Sequence, residues 1–200
     1  MKVKKSHLAL RFLAPYLAVT VFWCLFSNAW LAILAYHAQI LLWHRKSFLM
    51  VFRRTQAVGF LPALPTALAG LLLYFILPLI TEMSLPLWLR QHHLSGISFL
   101  LMIPYFALIH PFLEQTHWES LRKRTPLAHL AFAGYHILVL SALLSPQWLL
   151  LCFCGLTATS FFWQWLTTHT KSLAPAILSH TLADLGVITA VFLLLTQMRI

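Results

Sequence analysis

Two carboxylates stand where so apolar a chain should hold none. The 200 residues include four acidic side chains. Glu114 lies in IPYFALIHPFLEQTHW and Asp184 in APAILSHTLADLGVITAVFLLL, both apolar stretches, whereas Glu82 and Glu119 fall in polar connecting segments. A carboxylate at membrane depth costs about 2.5–3.5 kcal/mol on insertion scales, so it normally has a partner and a role. Histidines are spaced to serve both acids. His110 and His117 flank Glu114, and His180 lies one helical turn before Asp184. Residues four apart share a helix face, so His180 and Asp184 point the same way. A third polar stretch puts Phe132 and His136 on one face, with His129 a further turn back.

These residue types suit hydrolysis. A buried glutamate can take a proton from water as a general base, and a histidine can position that water. A second histidine with a carboxyl or amide side chain can donate hydrogen bonds to a developing oxyanion. Such a set splits a peptide bond without a nucleophilic serine or cysteine. The same side chains are also zinc-ligand types.

The elements that must hold these residues are transmembrane helices. The chain is 60% hydrophobic and 9% charged, against about 25% charged in soluble domains. Its mean hydropathy is +0.81. The expected fold is all-α, a polytopic helix bundle forming one membrane domain over residues 1–200. A net charge of +10 arises from basic residues in short loops between apolar runs. There they set topology and meet anionic lipid headgroups, which argues for lipid and against nucleic acid as a partner. Cys24, Cys152 and Cys154 sit in apolar stretches and offer neither a disulfide framework nor zinc-site spacing. The basic, then apolar, N-terminal segment lacks a small-x-small cleavage site and is expected to remain as a first transmembrane helix.

Apolar runs predict about seven spans, at 8–26, 28–43, 56–80, 96–114, 126–144, 147–165 and 173–195. The alternative is six, with the first two fused into one long tilted helix. With the N-terminus in the cytoplasm, seven spans place Lys2, Lys4, Lys5, Arg11, Arg45, Lys46, Arg53, Arg54, Arg122, Lys123, Arg124 and Lys171 inside. Arg90 and Arg199 alone fall outside, as the positive-inside rule favours. The polar segment 81–96 is expected on the outer surface. At about 1.5 Å per residue, His136 lies roughly 15 Å and His180 roughly 10 Å from the cytoplasmic start of its helix. Both can then meet Glu114, near the cytoplasmic end of the fourth span.

Glu114-Gln-Thr-His-Trp118-Glu119 resembles the first motif, Glu-Glu-x-x-x-Arg, of the CAAX-protease and bacteriocin-processing family of intramembrane proteases. Phe132-x-x-x-His136 resembles its second motif and His180-x-x-x-Asp184 its third. The resemblance covers about residues 96–195. It implies an intramembrane endopeptidase that hydrolyses a membrane-associated peptide or protein near the cytoplasmic face. It further implies Glu114 as the water-activating base, His136 as the group holding that water, and His180 with Asp184 as oxyanion stabilisers. A divalent metal such as zinc on Glu114, His136 and His180 is the other mechanism that the resemblance allows. The short loops resemble bacterial members, which implies the plasma (inner) membrane. Gln115 and Glu119 depart from the first motif, and Arg122 or Lys123 stands one turn on as a substitute cation.

Two other functions use the same residues. Buried histidines and carboxylates can relay protons in a transporter, and a relic site can persist in a membrane scaffold or immunity-type protein. Among the remaining residues, Trp118, Trp148, Trp163 and Trp165 read as interface anchors. His7, His37, His44, His92, His93 and His169 read as interfacial or loop residues, and Phe132 as packing at the site's rim.

Overall fold

The computed structural model describes residues 5–44 and 57–197. Lys2, Lys4, Arg45, Lys46, Arg53, Arg54 and Arg199, which the topology argument uses, lie outside the described residues. Among those described the regular structure is helical, apart from one isolated antiparallel bridge between Thr81 and Leu144.

Helix α1 (Lys5–Ala18) continues as a π-helical stretch, Val19–Leu25. The chain then breaks at Ser27, whose φ is +49°. Asn28 caps the next helix, its Oδ1 accepting from the Leu31 amide at 3.0 Å. Helix α2 (Ala29–His44) packs back against the first. The expected segments 8–26 and 28–43 are therefore two separate helices, not one fused helix.

A 3-10 segment, Ala57–Ala67, carries Pro62 and Pro65 and leads into α3 (Leu68–Ile80). Helix α4 (Leu85–Gln91) is short and follows a polar turn. Helices α5 (Ile97–Pro104) and α6 (His110–Arg122) are joined by a π-helical stretch, Tyr105–Ile109. Pro111 has no amide hydrogen, so Ala107 lacks its usual donor. The His110 amide bonds instead to the Tyr105 carbonyl. Helices α7 (Leu127–Leu140), α8 (Pro146–Thr170) and α9 (Ala174–Gln197) complete the bundle.

Five described helices are long and apolar enough to cross a membrane: Leu8–Leu25, Gly59–Ile80, Ile97–Arg122, Pro146–Thr170 and Ala174–Gln197. With its 14 residues, α7 reaches about 21 Å, short of the roughly 30 Å hydrocarbon core. The expected 126–144 span instead ends in a turn after Leu140. The fourth expected span runs on past 114 to Arg122. Its last two turns stay helical because they are buried in the bundle, and so Glu119 lies in a helix rather than in a connecting segment.

The core forms two clusters. One gathers Tyr36, Ile40, Trp118, Leu121, Phe132, Tyr135, Trp163 and Leu166. The other gathers Leu77, Trp88, Phe99, Met102, Leu143, Ile188 and Val191. Large aliphatic residues such as Leu72, Leu79 and Leu150 face outward. That inversion suits a hydrocarbon surround and would be a liability in water.

Helix α9 is held to α3 through Gly70 and Gly186, where a Cβ on either residue would collide with the other's backbone. Small residues let membrane helices approach this closely. Gly186→Leu should therefore lower stability by about 1–3 kcal/mol through overpacking. Thermal unfolding of the detergent-solubilised protein would show it, and an unchanged midpoint would mean that the two backbones are not in contact.

The 81–96 segment carries a short helix, Leu85–Gln91, and His92 after it, which was expected at an interface or in a loop. His92 is buried, stacks on Trp23 at 4.0 Å, and donates from Nδ1 to the Trp88 carbonyl at 2.8 Å. Burial pushes its imidazolium below the ordinary value of 6.5, with the Trp88 bond partly offsetting. A depressed folded value means stability that is present above the unfolded pKa and is lost as pH falls through it towards the folded one. Acidification from about pH 7 to 5 should lower the melting temperature more for the wild type than for His92→Phe. Parallel pH profiles for the two proteins would refute this assignment.

Candidate functional site

Glu114 is fully buried on α6, and its carboxylate meets groups from three helices, its own included. Its Oε1 accepts from the Tyr36 hydroxyl of α2 at 3.4 Å. Its Oε2 lies 3.3 Å from His110 Nε2, one turn back on α6, and 3.5 Å from His180 Nε2 on α9. His180 Nε2 is also 3.4 Å from Asp184 Oδ2. Neither Glu114 Oε2 nor Asp184 Oδ2 has an aligned hydrogen bond. Two buried carboxylate oxygens with unused acceptor capacity thus share one histidine edge. Buried polar atoms of this kind normally find a partner.

Each imidazole is held from behind. His110 Nδ1 lies 3.0 Å from His37 Nε2, and His37 Nδ1 lies 2.8 Å from the Tyr105 hydroxyl. The His37 ring stacks on both neighbours. His180 stacks on Trp163 at 4.3 Å, and the Trp163 indole donates to Ser179 Oγ at 2.9 Å. On its other edge His180 Nδ1 faces Gln115 Nε2 at 3.1 Å. Gln115 Oε1 in turn accepts from Arg122 at 2.6 Å.

Glu114, His180 and Asp184 are therefore brought together. His136 stands nearer the edge of this group. It is close enough to interact electrostatically with Glu114, but its ring is engaged by its own helix. Nδ1 donates to the Phe132 carbonyl at 2.8 Å, and Nε2 accepts from the Tyr135 hydroxyl at 3.1 Å. Phe132 is buried beneath it rather than at a rim. Known proteins supply no further guide: no family model, no curated protein and no solved structure matches this chain.

Three ligand atoms, one each from His110, His180 and Asp184, lie within 4.8 Å of one another. By position alone this group could hold a metal ion. It differs from the expected set of Glu114, His136 and His180, because His110 turns its Nε2 towards Glu114, whereas both ring nitrogens of His136 are engaged by its own helix.

The cations of the first motif are rearranged. Arg122 is buried, bonds to Gln115 and to Ser160 Oγ (3.2 Å), and lies 3.4 Å from Glu119 Oε2. Lys123 Nζ reaches Glu119 Oε1 at 3.2 Å. Glu119 is thus neutralised on both oxygens, and Arg122 meets the residue after the base from one turn further along.

Several groups lie elsewhere than expected. His117 donates to the Arg11 carbonyl at 3.1 Å and stacks on Trp43. His129 sits between Ser160 and Gln164. Trp118 and Trp163 are core residues, at 0% and 2% exposure, rather than interface anchors. A packed aromatic cluster of Phe12, Phe132 and Tyr135 surrounds Trp118. His37, expected at an interface or loop, is 2% exposed. The i, i+4 rule that pairs His180 with Asp184 also pairs His110 with Glu114, so that partner was legible. His37 and Tyr36, contributed by a distant helix, carried no such signal.

Proposed function

We propose that this chain is an intramembrane hydrolase of the peptidase type, spanning the membrane about seven times with its N-terminus in the cytoplasm. The observation that carries this reading is Glu114 Oε2, a wholly buried carboxylate oxygen without an aligned hydrogen bond, between two imidazole Nε2 atoms. A water bound there would lose its proton to Glu114 as it attacks a carbonyl. The Nε2–H of His180 would donate to the resulting oxyanion. Asp184 then acts through His180, as a carboxylate that accepts from the same N–H. His136 and Asp184 are less buried than Glu114, so the scissile bond would approach past them.

The substrate class is a membrane-associated peptide or protein, cleaved near the cytoplasmic face of a bacterial inner membrane. The ordered motifs Glu114, Phe132-x-x-x-His136 and His180-x-x-x-Asp184 support the likeness to CAAX-protease-type enzymes, and Arg122 supplies the cation that the first motif lacks. The test is cleavage of membrane-anchored reporter peptides in proteoliposomes by wild type, Glu114→Ala and His180→Ala. Loss in both variants is expected; wild-type rates in both would end the hydrolase reading.

A second reading draws on the string Tyr105–His37–His110–Glu114, which is joined by short polar contacts. Such a string suits a proton-coupled transporter. Proton flux into liposomes that depends on His37, in protein inactive on peptides, would favour it.

A further inference from the structure

We infer that Arg122 and Gln115 are positioning residues that fix the His180 proton on Nε2, making the cluster a hydrogen-bond-donor site rather than a metal centre. Arginine only donates. The Gln115 atom lying 2.6 Å from Arg122 must therefore be its oxygen. The amide nitrogen is left facing His180 Nδ1 at 3.1 Å. An N–H pointing at Nδ1 requires a lone pair there, so the neutral ring carries its proton on Nε2. Nε2 is the atom turned towards Glu114 Oε2 and Asp184 Oδ2. A proton on Nδ1 would instead be set against the Gln115 amide hydrogens.

A metal-bound histidine needs the opposite arrangement. The ligating nitrogen offers a lone pair, and the far nitrogen donates its proton to a carboxylate, carbonyl or water. His180 has an amide donor at the far nitrogen, so it cannot ligate through Nε2 without Gln115 turning over and breaking with Arg122. Without His180 the clustered group keeps His110 and Asp184, and the set that the resemblance implies keeps only Glu114 and His136, whose two ring nitrogens are already engaged; neither pair closes a zinc site. Arg122 cannot swing away freely, because Ser160 Oγ and Glu119 hold it as well. The metal mechanism that the motif resemblance allows therefore does not fit this chain. The residue responsible is Gln115, which stands where the motif has its second glutamate. The inference deepens the hydrolase reading, on which it rests only for the catalytic meaning of the His180 N–H.

Nitrogen NMR of histidine-labelled protein in lipid nanodiscs reads the tautomer directly, with His180→Gln identifying the signal. The expected wild-type result is a neutral ring protonated on Nε2. Gln115→Glu would place a carboxylate oxygen against Nδ1 and draw the proton there. Cobalt(II), followed by visible absorption, should then bind Gln115→Glu at least about tenfold more tightly than wild type. Adding His180→Gln should abolish the gain. A wild-type signal from Nδ1–H, or wild-type cobalt binding that weakens in His180→Gln, would overturn the inference. These readouts are independent of turnover. Wild-type cleavage by Glu114→Ala with the tautomer as expected would sink the hydrolase reading alone. The reverse pattern would sink the tautomer assignment alone.

Discussion

Glu114→Gln is expected to reduce peptide hydrolysis by about a hundredfold to ten-thousandfold, the usual contribution of a positioned general base. The substitution keeps the side-chain volume at a position that is 0% exposed. It also keeps an oxygen that can accept from Tyr36 or from the histidines. The fold should therefore survive, and the loss should appear in kcat rather than in expression or melting temperature. Glu114→Asp retains the base but withdraws it by about one carbon–carbon bond, so an intermediate loss is expected. Rates measured on a membrane-anchored reporter in proteoliposomes decide the matter. A Glu114→Gln protein that turns over at the wild-type rate would remove Glu114 from the chemistry.

Arg122→Met should have the largest effect on stability. Arg122 is fully buried at its side chain and serves Gln115, Ser160 and Glu119 together. Methionine fills similar space but leaves the buried Glu119 carboxylate with the solvent-exposed Lys123 alone. Breaking a buried ion pair on one side costs about 3–5 kcal/mol, because the abandoned charge stays out of water. That is comparable to the whole stability of a small domain, so aggregation or failure to purify as a single detergent-solubilised species is expected. Arg122→Met combined with Glu119→Gln removes the stranded charge and should restore much of the loss. If the double variant melts no higher than the single one, the ion pair is not what Arg122 contributes. The single variant should also free Gln115 to rotate, which links stability to the state of His180.

The parts of this architecture that were legible in the sequence share a cause. Charge scarcity marks helix ends, so the apolar runs appear as helices close to their expected bounds, including the break at Ser27. Buried carboxylates stand out against apolar neighbours, so Glu114 and Asp184 were evident, as was His180 one turn away. What was obscured is which apolar face is inside. In a water-soluble helix, polarity marks the outer face. Here lipid and core are both apolar, so Trp118 and Trp163 look the same as interface anchors until their neighbours are known. The same ambiguity hid His37, whose partners His110 and Tyr105 come from a helix more than sixty residues on. The length of α6 was misjudged for a related reason. Glu119, Arg122 and Lys123 look like a loop by polarity, yet the first two are buried and form an ion pair within one helix.

The π-helical stretch between α5 and α6 acts as a phase shifter in one long rod. On one side, Phe99 and Met102 lock into the core cluster of Trp88 and Ile188. On the other, Glu114 must aim at the histidines. Each residue of an α-helix advances the face by about 100°, so the wider turn at Tyr105–Ile109 sets the angle between these two halves. Deleting Ala107 would let the backbone ladder close as ordinary α-helix and lose no charged or catalytic group. It would also turn one half against the other, so that either the Phe99 side leaves its core or Glu114 leaves its site. The rod is thus tuned by its winding as much as by its side chains.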